Sequence, residues 1–209
     1  MSRIAKEGEI IDGHLEFLHS LMERGGPEPR DYYELDAWIA EVADQLKAGR
    51  LRDDDISRLV EGFGDAFSTE TMQGFAFRKP HGYAGDFEII ERIYERYTSD
   101  QAKLNKWDVY WQQHSAAHAV RNRVNVFADE LGRVCSERGA EVMHVLNLAS
   151  GPGRDMKQFF ELNPSANVHF DCVDQDQNAI EYAKNLCKES MQRIRGTDLV
   201  SQFECTEVS

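Results

Sequence analysis

Two glycines and an aspartate are spaced as in a binding turn for a nucleoside-type ligand. Gly151 and Gly153 lie in Ala149-Ser150-Gly151-Pro152-Gly153, directly after one apolar segment, and Asp174 ends the next, 168–173. Glycine lets the backbone approach a ligand closely and adopt a positive φ. An aspartate at the tip of the neighbouring strand is placed to accept hydrogen bonds from a ribose diol. The spacing therefore predicts a ribose-containing ligand at this turn.

The elements that position these residues form a β-loop-α-β unit. Segment 142–148 predicts a strand, 154–162 predicts a helix that Asn163-Pro164 ends, and 168–173 predicts a second strand. In such units the ligand lies at the carboxyl ends of the strands, and the amides that begin the helix favour a carboxylate or phosphate. The alternative is an ordinary βαβ unit with a Gly-Pro-Gly turn and a helix-capping aspartate.

The motifs favour one ligand class over another. A dinucleotide fingerprint needs a third glycine where Met156 stands, which disfavours a nicotinamide-dependent oxidoreductase. Segment 147–153 instead resembles motif I of the class I S-adenosylmethionine (SAM) methyltransferases, with Asn147 replacing the usual acid and Ala149 the first glycine. Segment 174–183, DQDQNAIEYA, resembles the ribose-binding segment of that family. The resemblance implies SAM as the cofactor, bound by Asn147, Ala149, Ser150, Gly151, Gly153, Asp174 and Gln175.

Candidates for the substrate side lie upstream. Segment 75–88, FAFRKPHGYAGDFE, is a glycine-rich aromatic loop that brings His81, Tyr83 and Asp86 together, and such loops often carry function. Arg121 is suited to hold a carboxylate bidentately, more so than Arg123, for which a solvated helix face is favoured. The alternative for the loop is a connector in which Tyr83 packs and Asp86 caps the next helix.

Three segments together suggest a narrower family. KPHGYAGDFEIIERIY (79–94), AVRNRV (119–124) and LNLASGPGRD (146–155) resemble bacterial methyltransferases of 3-hydroxypalmitic acid methyl ester (extracellular factor) biosynthesis. The resemblance implies O-methylation of a small acyl or hydroxy fatty acid carboxylate, with Tyr83, His81 and Arg121 as catalytic candidates. An ionised carboxylate needs no general base, whereas a hydroxyl or amine acceptor would use His81 or Asp86. A non-catalytic SAM-binding or regulatory module is the open alternative.

The rest of the chain is predicted to be helical up to the glycine turn. Apolar spacing predicts helices over 7–24 and 31–48, a third from Asp53, and a long one through Ala117–Val134. The predicted fold class is α/β: a helical N-terminal region (1–135) carrying the substrate-side loop 75–88, then a partial SAM-binding Rossmann-like domain (136–209). A helix from Gln177 to about Arg195 and a strand within 199–205 complete it. Because the later strands of the family's sheet have no counterpart here, we expect a truncated sheet, self-association through its edge, and no turnover by this chain alone.

Composition limits the partners. Lys and Arg number 24 against 37 Asp and Glu, a net charge of −13, which disfavours a nucleic-acid substrate. No apolar run is long enough to span a bilayer, and the polar start of the sequence resembles no leader, so the sequence predicts a cytoplasmic protein without membrane insertion. The cysteines are scattered, and His114 and His118 lack a third ligand at suggestive spacing. The sequence therefore predicts no metal site.

Overall fold

The computed structural model describes residues 3–194 and 204–207. Within these residues, nine α-helices and three β-strands follow one another: α1 (Arg3–Glu23), α2 (Tyr32–Lys47), α3 (Asp53–Phe63), α4 (Met72–Arg78), α5 (Phe87–Tyr94), α6 (Ala102–Gln112), α7 (Ser115–Arg138), β1 (Met143–Leu148), α8 (Arg154–Leu162), β2 (Val168–Asp174), α9 (Gln177–Ile194) and β3 (Glu204–Glu207). In this described part, no helix is both long and apolar enough to cross a bilayer.

The chain divides into two compact units, each built from two stretches of sequence. The first unit comprises Met1–Ala84 and Arg96–His114, and the second comprises Gly85–Glu95 and Ser115–Ser209. This division differs from the sequence-based one, 1–135 and 136–209, because α5 and α7 fall in the second unit. Helix α7 packs on α8, and α5 packs on α7. Helical periodicity reveals an apolar face but not the element that covers it.

The first unit is helical and has an aromatic-rich core. Helix α1 packs against α3, and α6 contributes Trp107 and Tyr110, which are 1% and 2% exposed. Phe63 stacks on Phe67, with ring centroids 4.3 Å apart, and meets Trp107 edge-on at 5.3 Å. Edge-to-face and offset pairs of this kind add to the stabilisation that burial alone provides.

The second unit contains a small parallel sheet, so the chain is an α/β protein that is mostly helical. The strands lie in the order β1-β2-β3, and β1 pairs with β2 from Met143 opposite Val168 to Leu148 opposite Val173. One face of the sheet is buried: Val168, Phe170 and Cys172 pack with residues of α7, α8 and α9. The other face carries exposed residues of β1, namely His144, Leu146 and Leu148.

The predicted elements around the glycine turn are confirmed. Helix α8 spans the predicted residues, β2 ends on Asp174 as expected, and β1 begins at Met143, one residue late. Strand β3 overlaps only the end of its predicted range, 199–205, of which 199–203 lie outside the described residues, as does Arg195 at the predicted end of α9.

Candidate functional site

The loop that joins β1 to α8, residues 149–153, has an unusual backbone. Ala149, Gly151 and Gly153 all have positive φ, at 53°, 56° and 76°. A positive φ is uncommon for alanine, because its Cβ crowds the backbone there. Two hydrogen bonds tie the loop to the end of β2: Ser150 N donates to Val173 O at 3.2 Å, and Gly151 N donates to Asp174 Oδ2 at 2.8 Å.

The two loop glycines are required for different reasons. A Cβ added at Gly151 would meet no atom within 4 Å, so the backbone here faces open space. A Cβ added at Gly153 would lie 2.9 Å from Met156 Cε and 3.0 Å from Ala183 Cβ. Gly153 therefore allows α8 and α9 to pack closely, whereas Gly151 leaves room that a ligand can use.

Asp174 connects the loop to the start of α9. Its Oδ2 accepts from Gly151 N, and its Oδ1 accepts from Asp176 N at 2.9 Å. Asp176 in turn accepts from Asn178 N at 2.9 Å, which caps the first turn of α9. Each carboxylate oxygen offers two lone pairs, so Asp174 retains capacity for two hydroxyl donors. Gln175, which follows it, is exposed.

Two polar atoms beside the loop are buried without a hydrogen-bond partner among the described residues. They are Asn147 Nδ2, on the second-last residue of β1, and Ser150 Oγ, in the loop itself. A buried polar atom without a partner costs about 1–3 kcal/mol. Both residues belong to the set predicted to contact the cofactor.

An acid that the sequence analysis did not single out occupies the start of α8. Asp155 Oδ1 accepts from Met156 N at 2.9 Å. Burial raises the pKa of the Asp155 carboxyl, against the lowering effects of backbone hydrogen bonds, of Arg123 and of Asn147. Asn147 thus lies near Asp155, although its Nδ2 falls short of a hydrogen bond of normal geometry. The expectation that the first amides of this helix bind an anionic ligand is therefore not supported, because Asp155 takes one of them.

A network of side chains holds the start of α8 to α5. Arg154, the residue after Gly153, donates from Nε to both carboxylate oxygens of Glu91, at 3.0 and 2.8 Å. Its Nη2 lies 2.9 Å from Glu95 Oε1. The Tyr182 hydroxyl of α9 donates to Glu91 Oε2 at 2.8 Å. The Glu91 side chain is only 5% exposed. Burial and the Glu91 hydrogen bond raise the pKa of Tyr182 to about 12.

The predicted substrate-side residues fall in both units. His81 and Tyr83 are half-buried residues of the first unit, and the His81 ring lies 6.1 Å from that of Phe75. Asp86, in the second unit, is 1% exposed and accepts from Ile89 N at 2.9 Å. This contact makes Asp86 the N-cap of α5, in line with the structural alternative and not with a general base.

The two arginines of α7 have different surroundings. Arg121 is half-buried, and its Nη1 lies 3.5 Å from the Ile93 carbonyl oxygen at the end of α5. Arg123 lies near Asp155, whose pKa its charge lowers, and near Tyr94. The pKa of Tyr94 is raised, because burial outweighs the lowering effect of Arg123. The arginine associated with Asp155 at the start of α8 is therefore Arg123, although the sequence favoured Arg121 as the functional one.

The residues missed by the sequence analysis gave little local signal. Glu91 reads as one of several acids in an amphipathic helix, and Tyr182 as part of an apolar stripe. Arg154 and Asp155 follow the glycine turn directly, and that adjacency is the signal that could have found them. The Glu91 contacts join residues far apart in the sequence, which no spacing rule anticipates.

Comparison with known proteins identifies no family for this chain. The chain matches no protein-family model, no curated protein and no solved structure. Its chemistry is therefore interpreted from the residues of the site.

Proposed function

We propose that the second unit binds SAM at the carboxyl ends of β1 and β2, and that the protein transfers the methyl group to a small acyl carboxylate. The observation that carries this proposal is the open space at Gly151, whose backbone amide donates to the Asp174 carboxylate at the end of β2. Ligands of parallel α/β sheets bind at this edge. The parallel order β1-β2-β3 with intervening helices supports a Rossmann-like reading of the unit.

The start of α8 favours SAM over a phosphate-bearing dinucleotide. In dinucleotide folds the pyrophosphate lies on the N-terminus of this helix. Here the carboxyl group of Asp155 occupies that position and accepts from Met156 N. This carboxyl group takes an amide that a phosphate would use, and the fully buried Met156 fills the place of the third glycine. SAM carries no phosphate and does not need that amide.

The residues at this site carry the hydrogen-bonding groups that SAM would need. Asp174 would accept from the ribose hydroxyls with its remaining lone pairs, and exposed Gln175 beside it would line the same end of the site. Asn147 and Ser150 would serve the polar groups of the methionine part, with Ala149, Gly151 and Gly153 shaping the turn. Asn147 stands where the resembling family has an acid, and the Asp155 carboxyl lies near Asn147.

Bound SAM supplies a methyl group already activated on a sulfonium. The protein then has to orient the acceptor and exclude water, because an ionised carboxylate needs no base. Arg121 is the proposed guide for the acceptor carboxylate. The roles of Tyr83 and His81, which belong to the first unit, remain predictions that the family resemblance implies.

Calorimetric titration with SAM tests the binding step. Gly151→Val should abolish measurable binding, because its side chain enters the open space at a positive φ. Gly139→Val is the matched control: Gly139 also has a positive φ and open space around it, but it follows α7, so the backbone strain is similar while SAM affinity should remain. Asp174→Asn should weaken SAM binding by about 1.5–3 kcal/mol, the range for hydrogen bonds to charged groups.

Equal SAM affinity in the two glycine variants would remove the loop from the site. Methyl transfer is assayed with labelled SAM and 3-hydroxy fatty acids on a protein that binds SAM. Binding without transfer to any carboxylate would favour the alternative, a non-catalytic SAM-binding or regulatory module.

A further inference from the structure

A second group of chemically active side chains lies on the exposed face of the sheet. His144 in β1 and His169 in β2 are opposite each other in the parallel pairing, with ring centroids 5.0 Å apart. Asp171 lies two residues after His169 and so projects from the same face. His169 Nε2 is 3.1 Å from Asp171 Oδ1.

The ligating atoms of these three residues converge. One atom from each, two imidazole nitrogens and a carboxylate oxygen, lie within 4.8 Å of one another. His144 is exposed, and the side chains of His169 and Asp171 are 18% and 47% exposed, so an ion from solution can reach them. With metal–ligand bonds of about 2.0 Å, ligands on a tetrahedral ion lie roughly 3.3 Å apart, so binding requires the three side chains to move closer together than they lie here.

We propose that His144, His169 and Asp171 bind a divalent first-row transition ion such as Zn²⁺. Imidazole suits zinc, copper and nickel, and two imidazoles with one carboxylate form a common three-residue set that leaves a fourth position open to water. The bound ion lies among the two imidazoles and the carboxylate and replaces the His169–Asp171 hydrogen bond. It links β1 to β2 from the face opposite the buried core.

This site is independent of the proposed cofactor site. Its ligands lie in the interior of the strands, whereas Gly151 and Asp174 lie at the carboxyl ends. The predicted absence of a metal site rested on the cysteines and on His114 and His118, and no spacing pattern pointed to His144 and His169, which are distant in sequence. Only the strand pairing brings them together. The metal experiment uses no SAM, so its failure would leave the proposed methyltransferase function untouched.

Titration of the full, chelator-treated chain with Zn²⁺ tests the proposal. We expect one equivalent to bind, with affinity lowered at least tenfold in His144→Ala, in His169→Ala and in the conservative Asp171→Asn. The matched control is His118→Ala, which removes an exposed histidine of the same unit that lies outside the cluster. Zn²⁺ should also raise the midpoint of thermal unfolding of the wild-type chain, and should not do so in His144→Ala.

Co²⁺ absorption identifies the ligands directly. Nitrogen and oxygen ligands give weak visible bands, whereas thiolate ligands add a strong near-ultraviolet charge-transfer band. A thiolate band would place the ion on cysteine and overturn the proposal. Failure of the wild-type chain to bind Zn²⁺ would overturn it too, as would unchanged affinity in the three cluster variants, with folding of each variant checked by circular dichroism.

Discussion

Asp108 in the first unit and Glu91 in the second are both acids with almost no solvent exposure, 0% and 4%. Asp108 accepts from two backbone amides, Met72 N at 2.7 Å and Ser99 N at 2.8 Å. Glu91 accepts instead from two side chains, the guanidinium of Arg154 and the hydroxyl of Tyr182. The same chemical group is thus satisfied by fixed donors in one unit and by movable donors in the other.

The difference indicates separate roles for the two acids. Backbone amides cannot turn away when an acceptor is lost, so Asp108 fixes the start of α4 and the turn at Ser99 to α6. Side-chain donors can rotate toward water, so the contacts of Glu91 hold elements together without locking the backbone. One of those donors, Arg154, directly follows the loop proposed to bind SAM. Glu91 is therefore connected to that loop through a side-chain contact. Substitutions of Glu91 and of its donors can measure each contact separately.

The largest expected effect is that of Asp108→Ala. It leaves two buried amides without acceptors, at about 1–3 kcal/mol each, so we expect a loss of about 2–6 kcal/mol from the free energy of unfolding of the first unit. Tryptophan fluorescence during urea unfolding measures it, because Trp38, Trp107 and Trp111, the three tryptophans of the chain, all belong to this unit.

Two variants sharpen this result. Asp108→Asn keeps one carbonyl acceptor, so its loss should be intermediate. Asp100→Ala removes an exposed acid of the same unit and should change stability little. If Asp108→Ala and Asp100→Ala unfolded at the same urea concentration, the two amides would have found other acceptors, and the contrast with Glu91 would lose its basis.

The second prediction is that Arg154→Met destabilises the second unit more than Glu91→Gln does. Arg154→Met leaves the Glu91 carboxylate buried with Tyr182 as its one remaining donor among the described residues, at a cost of about 3 kcal/mol. Glu91→Gln leaves Arg154, which is 26% exposed and can turn toward water, so we expect a loss of about 1 kcal/mol. Hydrogen exchange of peptides from α8 and β2 measures both losses.

Arg133→Met is the matched control for the arginine. Arg133 also contacts two glutamates, Glu130 and Glu137, but all three side chains are more than half exposed. Such surface pairs contribute little, so exchange in α8 and β2 should not change. Equal effects of Arg154→Met and Glu91→Gln would mean that the Glu91 carboxylate is solvated on loss of its partner, contrary to its burial.

Local sequence patterns predicted the elements of the candidate site well. Pro164 after Asn163 ends α8, and the alternation through Phe170 and Cys172 defines β2, so both positions follow from short-range rules. The positive φ of Gly151 was likewise readable, because glycine after a strand is typical of such turns. What a neighbouring residue dictates can be read from sequence.

Contacts between distant segments were not readable. The Glu91–Arg154 pair and the His144–His169 neighbours depend on helix packing and on strand pairing that no local pattern specifies. The grouping of α7 with the sheet likewise depends on the packing of α7 on α8. Asp86 shows the converse case: its role as N-cap of α5 was a stated alternative, and only its hydrogen bond to Ile89 N distinguishes it from a base.

The smallest expected effect concerns Tyr182 and alkaline pH. Its pKa is raised in the folded protein from 10.0 to about 12, by burial first and by the hydrogen bond to Glu91 second. A raised pKa means that the folded state holds the proton more tightly than the unfolded state. The stability contributed by the protonated hydroxyl is therefore complete below pH 10 and is lost as the pH rises from 10 toward 12.

Hydrogen exchange in α9 should show this loss in the wild-type chain, and a smaller one in Tyr182→Phe, which has no proton to release. Tyr33→Phe removes an 87% exposed tyrosine and should leave the profile unchanged. If Tyr182→Phe followed the wild-type profile throughout this interval, Tyr182 would not be the group that senses alkaline pH. The hydrogen bond from Tyr182 to Glu91 would then contribute no pH-dependent stability, contrary to the contrast drawn with the backbone donors of Asp108.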